Sequence, residues 1–382
     1  MGSTGDRPNI VRGLEDMYVK ESKLCLVDGE KGRLLYVGYD IRDLAEHSSF
    51  EETAFLLWNL RLPRRNELDQ LRRALAEERK LPKALYGLLK RLPRTTVPID
   101  ALRTAVSALA GFEPELADGS RDANLRKARR LTAKVATIVA AYHRIQQGRR
   151  PVAPDPDRGH AEDLMRMLTG AEPDPLIAKI MDVALILHAD HSLNASTFGA
   201  TVAASTLADL YSTVVAGIAT LKGPLHGGAN EQAVKMLLKI GTPANAEAYV
   251  EKALDRKAKI PGFGHRVYKN FDPRALILKE YARQLAERDG DTHVFETAKA
   301  VEEVMLRELQ EKRIYPNVDF YSGVTYYLMG LPPEVFTPVF AVARVAGWTA
   351  HVMEYWQANR IMRPLDWYTG PMDAKYVSVD RR

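Results

Sequence analysis

Four short stretches carry side chains that could move a proton or steady a developing charge. In GPLHGGAN (residues 223–230), His226 stands between a proline bend and a glycine pair, just before the helical pattern NEQAVKMLLK. Glycine flanks let a ligand or backbone approach closely. A helix N-terminus disfavours an imidazolium, so His226 reads as a neutral, ligand-facing ring. In PGFGHRVYKNFDPRA (261–275), a Pro-Gly-x-Gly turn leads into His265, with Arg266, Lys269 and Arg274 behind it. Such cations suit an anion, and the alternative is a surface turn with solvated charges. The stretch fits neither the Walker pattern nor the dinucleotide fingerprint. In IYPNVDFYSGV (314–324), Asp319 lies among apolar and aromatic residues. It either caps the next helix or is a carboxylate stripped of water, whose raised pKa makes it a better base. In LHADHSLNAS (187–196), His188 and His191 are three apart at the end of an apolar helix. Without a third ligand the pair is a poor metal site, and ordinary helix-end hydrogen bonds are the alternative. His47, His143, His160 and His293 lie in polar contexts and read as solvated or capping; His351, inside an apolar helix, reads as a satisfied core histidine.

Taken in this order and spacing, these stretches, with FAVARVAGWTAHVMEYW (340–356) and RIMRPL (360–365), resemble the citrate synthase family in its short, dimeric prokaryotic form. The resemblance runs from about Gly13 to Tyr376. It implies a reaction in which acetyl-CoA, oxaloacetate and water give citrate and coenzyme A through an enol(ate) and citryl-CoA. By resemblance, Asp319 is the base that takes a methyl proton. His226 supports the thioester oxygen, and His265 protonates the oxaloacetate carbonyl. His191, Arg274 and Arg344 hold oxaloacetate, and Arg363 joins them across a homodimer interface. Coenzyme A is expected on Arg256, Lys257 and Lys259, on Ile260, Pro261 and Gly262 of the adjoining turn, and on Asn317. Asn194 and Ser196 are expected to orient the rings. Ser192 and Leu193 depart from the family, which often has Glu or Gly and then an aromatic residue there. No metal and no cofactor is implied, since acetyl-CoA is a co-substrate.

The chemistry is reasonable on its own terms. Oxaloacetate is a dianion, and guanidinium forks fix carboxylates with paired hydrogen bonds. A thioester α-proton is weakly acidic, so a carboxylate base needs a donor aimed where negative charge develops. The rival within the family is 2-methylcitrate synthase, which uses propionyl-CoA; one methylene is worth only about 1–3 kcal/mol of discrimination. ATP-citrate lyase would need a nucleotide-binding portion for which this chain has no room. A non-catalytic paralogue that senses coenzyme A or dicarboxylates would not need Asp319 beside the histidines.

The elements that must position these residues are mostly helices. The exception is LCLVDGEKGRLLYVGYD (24–40), which predicts a small β-hairpin. Ser49 and Glu52 form a capping-box pattern. Residues 125–142 place Leu125, Ala128, Leu131, Val135, Ile138, Val139 and Tyr142 on one helix face, with Gly148 as the stop. The expected fold is mainly α, with two domains and a small N-terminal hairpin. A large helical domain takes residues 1–220 and 325–382, the latter including a C-terminal arm. Residues 221–324 form a smaller domain that binds coenzyme A, and the cleft between the two closes over substrate to exclude water.

The composition agrees. With 382 residues, 46% of them hydrophobic, the chain can bury a large core. Its formal net charge of +5 is spread along the chain and does not suggest a nucleic-acid partner. One cysteine, Cys25, excludes an internal disulfide and a multi-cysteine metal site. The start lacks the apolar segment of a signal peptide. No apolar run reads as long enough to span a bilayer, the best being interrupted by Arg344 and His351. A cytoplasmic protein is expected.

Overall fold

The computed structural model describes residues 8–382. Near the N-terminus, β1 (Cys25–Asp28) and β2 (Arg33–Tyr36) pair antiparallel, with Asp28 opposite Arg33 and Cys25 opposite Tyr36. A further strand, β3 (Tyr39–Asp40), adds to the other edge of β2, so the expected hairpin is a three-stranded sheet. The extra strand arises because Val37 and Gly38 both take positive φ and turn the chain straight back.

The helices follow in chain order: α1 (Ile41–His47), α2 (Phe50–Asn59), α3 (Arg65–Glu78), α4 (Lys83–Arg91), α5 (Pro98–Leu109) and α6 (Arg121–Gln146). Next come α7 (His160–Thr169), α8 (Pro175–His188), α9 (Ala195–Ser205), α10 (Leu210–Leu221) and α11 (Ala229–Ile240). The last are α12 (Ala246–Asp255), α13 (Pro273–Asp289), α14 (His293–Glu308), α15 (Val318–Leu328) and α16 (Phe336–Tyr355). Their starts are written in the sequence. Asp40, Ser49, Ser120, Asp174, Asn194, Asp209, Asp272 and Asn317 each accept a first-turn N–H. The capping box at α2 is half formed. Ser49 Oγ accepts from Glu52 N–H, but the Glu52 carboxylate turns to Ser48 Oγ at 3.0 Å.

The core is built on α6 and α16, which pack together. All the expected interior positions of α6 are buried except Leu125, which is half-buried, and Gly148 ends the segment at φ +72°. In α16 every residue from Phe336 to Val352 is buried. The stretch Pro333–Ala358 is in fact long and apolar enough to cross a membrane by length and composition, contrary to the sequence reading. It is the core helix instead: its apolar window is entirely enclosed by other helices, which accept the surface a bilayer would otherwise cover. Helices α11 to α15 pack mainly on one another, with α1, α8 and α16 as neighbours outside the group.

Two histidines sit deeper than their polar sequence contexts suggested. His160 is buried and stacks on Phe50 at 5.2 Å; burial and the nearby Arg79 push its pKa down to about 3. His143 is also buried, with its ring on Gln147. Both lie on helices whose inward face carries the ring, so local polarity was a poor guide. His47 and His293 are exposed.

Candidate active site

The segment after α8, the turn before α11, the loop before α13 and the first turn of α15 come together: His191 feels His226, His265, Arg274 and Arg344, and Asp319 feels Arg274 and Arg344. The His191 and His265 rings stand 5.2 Å apart, each also against Tyr268. Arg274, at the start of α13, and Arg344, in the middle of α16, are both buried.

His226 lies in the turn ahead of α11, its backbone N–H donating to the Gly223 carbonyl at 2.9 Å. The helix itself begins at Ala229, three residues later than the ring. The Ser196 backbone N–H points at His226 Nε2 at 3.2 Å, and Ser196 Oγ is 2.9 Å from the same nitrogen. A backbone N–H can only donate, so Nε2 is a lone pair and the proton of this imidazole sits on Nδ1. The neutral ring expected from the helix N-terminus is therefore present, but for another reason. Burial, then the Arg344 guanidinium, push its pKa down to about 4. Ser196 is itself held by the Trp348 indole N–H (3.1 Å) and by Asn194 Oδ1 (2.8 Å).

His265 has the opposite tautomer. Its Nδ1 accepts from the backbone N–H groups of Val267 and Tyr268, both at 3.0 Å. The remaining proton is on Nε2. Burial, then Arg274, lower its pKa to about 4. His191 is pushed well below the usual histidine range by burial, with Arg274 next. Its Nε2 is buried with no partner among the described residues. Ser192, the residue following, takes φ +53°, a left-handed conformation that a glycine there would adopt without strain. His188 turns the other way, Nδ1 donating to the Ala184 carbonyl at 2.7 Å, as an ordinary helix-end histidine does. Among the described residues no group of three or more His, Cys, Asp or Glu side chains could hold a metal ion.

Asp319 is not the cap of α15. Asn317 fills that role, its Oδ1 accepting the Asp319 N–H at 2.9 Å. Asp319 Oδ1 is buried without a partner among the described residues. Burial raises the carboxyl pKa to about 7, against the pull of Arg274. Asn317 Nδ2 donates to the Gly264 carbonyl at 2.8 Å. Both ends of this side chain are thus engaged within the protein, and its backbone N–H is too, donated to the Gly262 carbonyl at 2.9 Å.

Backbone pairing ties the His265 loop to Asp319. Gly262 carbonyl accepts from Asn317 N–H, Gly264 N–H donates to Tyr315 carbonyl (both 2.9 Å), and Phe263 bridges Pro316. At Gly262, φ is +83° and an added Cβ would stand 2.7 Å from Phe320 Cβ, so only glycine lets the turn lie on α15. Upstream, Arg256, Lys257 and Lys259 are exposed and make no ion pair among the described residues; Ile260 is buried and Pro261 half-buried. Arg363 is not brought to this group of side chains. It lies on the exposed irregular segment after α16, without a hydrogen bond or ion pair among the described residues.

Ser196 and Asn194, at His226, were expected from the resemblance; sequence reasoning missed the other groups that hold these side chains. Asp272 grips Arg274 through two bonds, Oδ1 to Nε at 3.0 Å and Oδ2 to Nη2 at 2.8 Å, and also accepts from Val318 N–H at 3.1 Å. The Asp-Pro pair at the head of a helix pattern was a usable signal for it. Asp190 pairs with His351 Nε2 at 3.0 Å, and Lys20 donates to His351 Nδ1 at 3.0 Å. His351 is thus the satisfied core histidine expected, but its partners come from distant segments. Arg344 Nε donates to the His188 carbonyl at 2.7 Å, and its guanidinium lies over Phe340.

The family model described as "Citrate synthase, C-terminal domain" matches residues 13–365. The chain belongs to the citrate synthase family. It is similar to the citrate synthase of Deinococcus radiodurans, 46% identical over 98% of this chain and 99% of that one. Among solved structures, the citrate synthase of Pyrobaculum aerophilum matches with a TM-score of 0.93 at 45% identity, covering 98% of this chain and 95% of that one. The citrate synthase of Thermoplasma acidophilum, solved as a ternary complex with carboxymethyl coenzyme A and oxaloacetate, also gives a TM-score of 0.93, at 35% identity over 97% and 99% of the two chains. The mainly helical fold is that of the citrate synthases, and the activity is theirs: condensation of acetyl-CoA with oxaloacetate and water to give citrate and coenzyme A.

Proposed function

We propose that Asp319, His226 and His265 divide the citrate synthase reaction among them. The observation that carries this reading is a carboxyl with pKa near 7 that feels Arg344 together with His226 and Arg274 together with His265, two imidazoles whose tautomers are set by backbone N–H groups. Asp319, as carboxylate, takes a proton from the acetyl methyl group. His226 Nδ1–H donates to the thioester oxygen as the C=C bond of the enol(ate) forms. The nucleophilic carbon then attacks the ketone of oxaloacetate. His265 Nε2–H delivers its proton to the ketone oxygen as the new C–C bond forms. Water hydrolyses citryl-CoA, placing OH on the acyl carbon and releasing coenzyme A as its thiol.

Oxaloacetate would lie against His191, with its carboxylates on Arg274 and Arg344. Arg274 donates one hydrogen from Nε and one from Nη2 to Asp272, which leaves both Nη1 hydrogens and the second Nη2 hydrogen for substrate. Coenzyme A would approach the free cations Arg256, Lys257 and Lys259. The reading needs no cofactor. We further propose a homodimer in which Arg363 enters the partner's site. Exposed apolar side chains along the same segment, Ile361, Leu365, Tyr368 and Met372, are the surface such a partner would cover.

The test is release of free thiol from acetyl-CoA in the presence of oxaloacetate. Folded protein that releases none overturns the proposal. Propionyl-CoA run in parallel is expected to be used more slowly, by roughly 10- to 200-fold in kcat/KM.

A further inference from the structure

We propose that the N-terminal sheet is a positioning element of the active site, holding the His191 segment at one end and the His265 loop at the other. Tyr36, the last residue of β2, is fully buried. Its hydroxyl accepts from the Asp190 N–H at 3.1 Å and donates to the Asp190 carbonyl at 2.7 Å, beside His191. The opposite end of the strand pair, the turn of residues 29–32, lies on the His265 loop. Gly29 carbonyl accepts from Lys269 N–H at 3.1 Å. A Cβ added at Gly29 would overlap the Val267 carbonyl oxygen and stand 2.7 Å from its carbon. At Gly32, with φ +59°, an added Cβ would meet the Phe271 carbonyl oxygen at 2.8 Å.

The loop gripped in this way is the one whose Val267 and Tyr268 N–H groups aim the His265 ring. Four steps of strand from Gly32 to Tyr36 span roughly 13 Å at about 3.3 Å each. A paired strand is a stiff spacer, and this one joins the two histidines whose rings stand 5.2 Å apart. Gly29 and Gly32 thus act through the loop backbone; neither touches substrate. The inference rests on the reading of His265 as the acid for condensation.

The experiment separates the two half-reactions. Condensation is followed by thiol release. Enolisation alone is followed as exchange of acetyl-CoA methyl protons with deuterated solvent in the presence of malate, a dicarboxylate with no ketone to attack. Gly29→Ala is expected to lower kcat for condensation on the order of 10²-fold, as for a displacement of about 1 Å, while exchange by Asp319 and His226 stays within about threefold. Lys31→Ala, at the exposed tip of the same turn, keeps both activities. If Gly29→Ala does not fold, Gly32→Ala is read in the same way. Normal condensation in the glycine variant overturns the inference, as does a loss of exchange in proportion to condensation, which would mean general damage. His265→Gln is run alongside. Condensation that survives in it overturns the role of His265 and the inference together; a dead His265→Gln beside a normal Gly29→Ala overturns the inference alone.

Discussion

The starts of α13 and α15 each place a buried aspartate near Arg274, and the two acids titrate in opposite directions. Asp272 caps α13. Burial would raise its pKa, but the Arg274 guanidinium, bound through both carboxylate oxygens, holds it below the usual range. Asp319, in the first turn of α15, has one oxygen with no partner, and burial takes its pKa up to about 7. Both feel Arg274, but only Asp272 touches it. Burial therefore does not decide the state of a carboxyl; what it touches once buried does. The first acid serves as a fixed counter-ion for a substrate-holding arginine. The second is kept reactive because nothing satisfies it.

The largest expected effect tests the reactive member. Asp319→Asn should lower kcat on the order of 10³-fold, the scale of a lost general base, with oxaloacetate affinity retained in a binding titration. An unchanged kcat would remove Asp319 from the mechanism. Next, Asp272→Asn leaves Arg274 buried without its counter-charge. It should cost about 3–4 kcal/mol of stability in a denaturant titration and weaken oxaloacetate binding. If it proves neutral, the contrast between the two helix starts is wrong.

Third, the base works only when ionised, so kcat should fall below a midpoint near pH 7, about tenfold per pH unit further down. A midpoint near 4 would show that Asp319 is not desolvated in the working enzyme. The smallest effect concerns stability and has the reverse sign to Asp272→Asn. A carboxyl whose folded pKa lies above its unfolded value binds more protons when folded. Its stabilising contribution is complete below the unfolded pKa of about 3.9 and is lost as pH rises toward 7. Asp319→Asn should therefore raise the thermal midpoint by a few degrees at pH 8, with the gain vanishing below about pH 4. Equal midpoints at both pH values would mean that the carboxyl is solvated.

Much of this was legible from residue order. The four stretches around His191, His226, His265 and Asp319 could be found without coordinates, because glycine, proline and charge near a lone titratable group are local signals. The helix caps were legible for the same reason. Apart from Ser196 and Asn194, expected from the resemblance, the partners of those groups were not. Asp272 reaches Val318 across 46 residues, and Asp190 reaches His351 across 161. No local pattern encodes such pairs. His160 was misjudged because polarity was read from its neighbours in sequence, whereas burial depends on which face of α7 turns inward. The long apolar helix α16 was underrated because two charged or polar interruptions, Arg344 and His351, are hydrogen-bonded by partners from elsewhere in the fold.

By itself, residue order determined the helical class of this protein, its family and the side chains available for chemistry, since each depends on periodicity or on motifs within a few residues. Tertiary structure alone decided the protonation of those side chains. The proton of His226 sits on Nδ1 because Ser196, thirty residues away, points an N–H at Nε2. Asp319 has a pKa near 7 because packing removes its water and leaves one oxygen unpaired. Desolvation and hydrogen-bond direction are properties of what surrounds an atom in space, and only the folded chain supplies those surroundings.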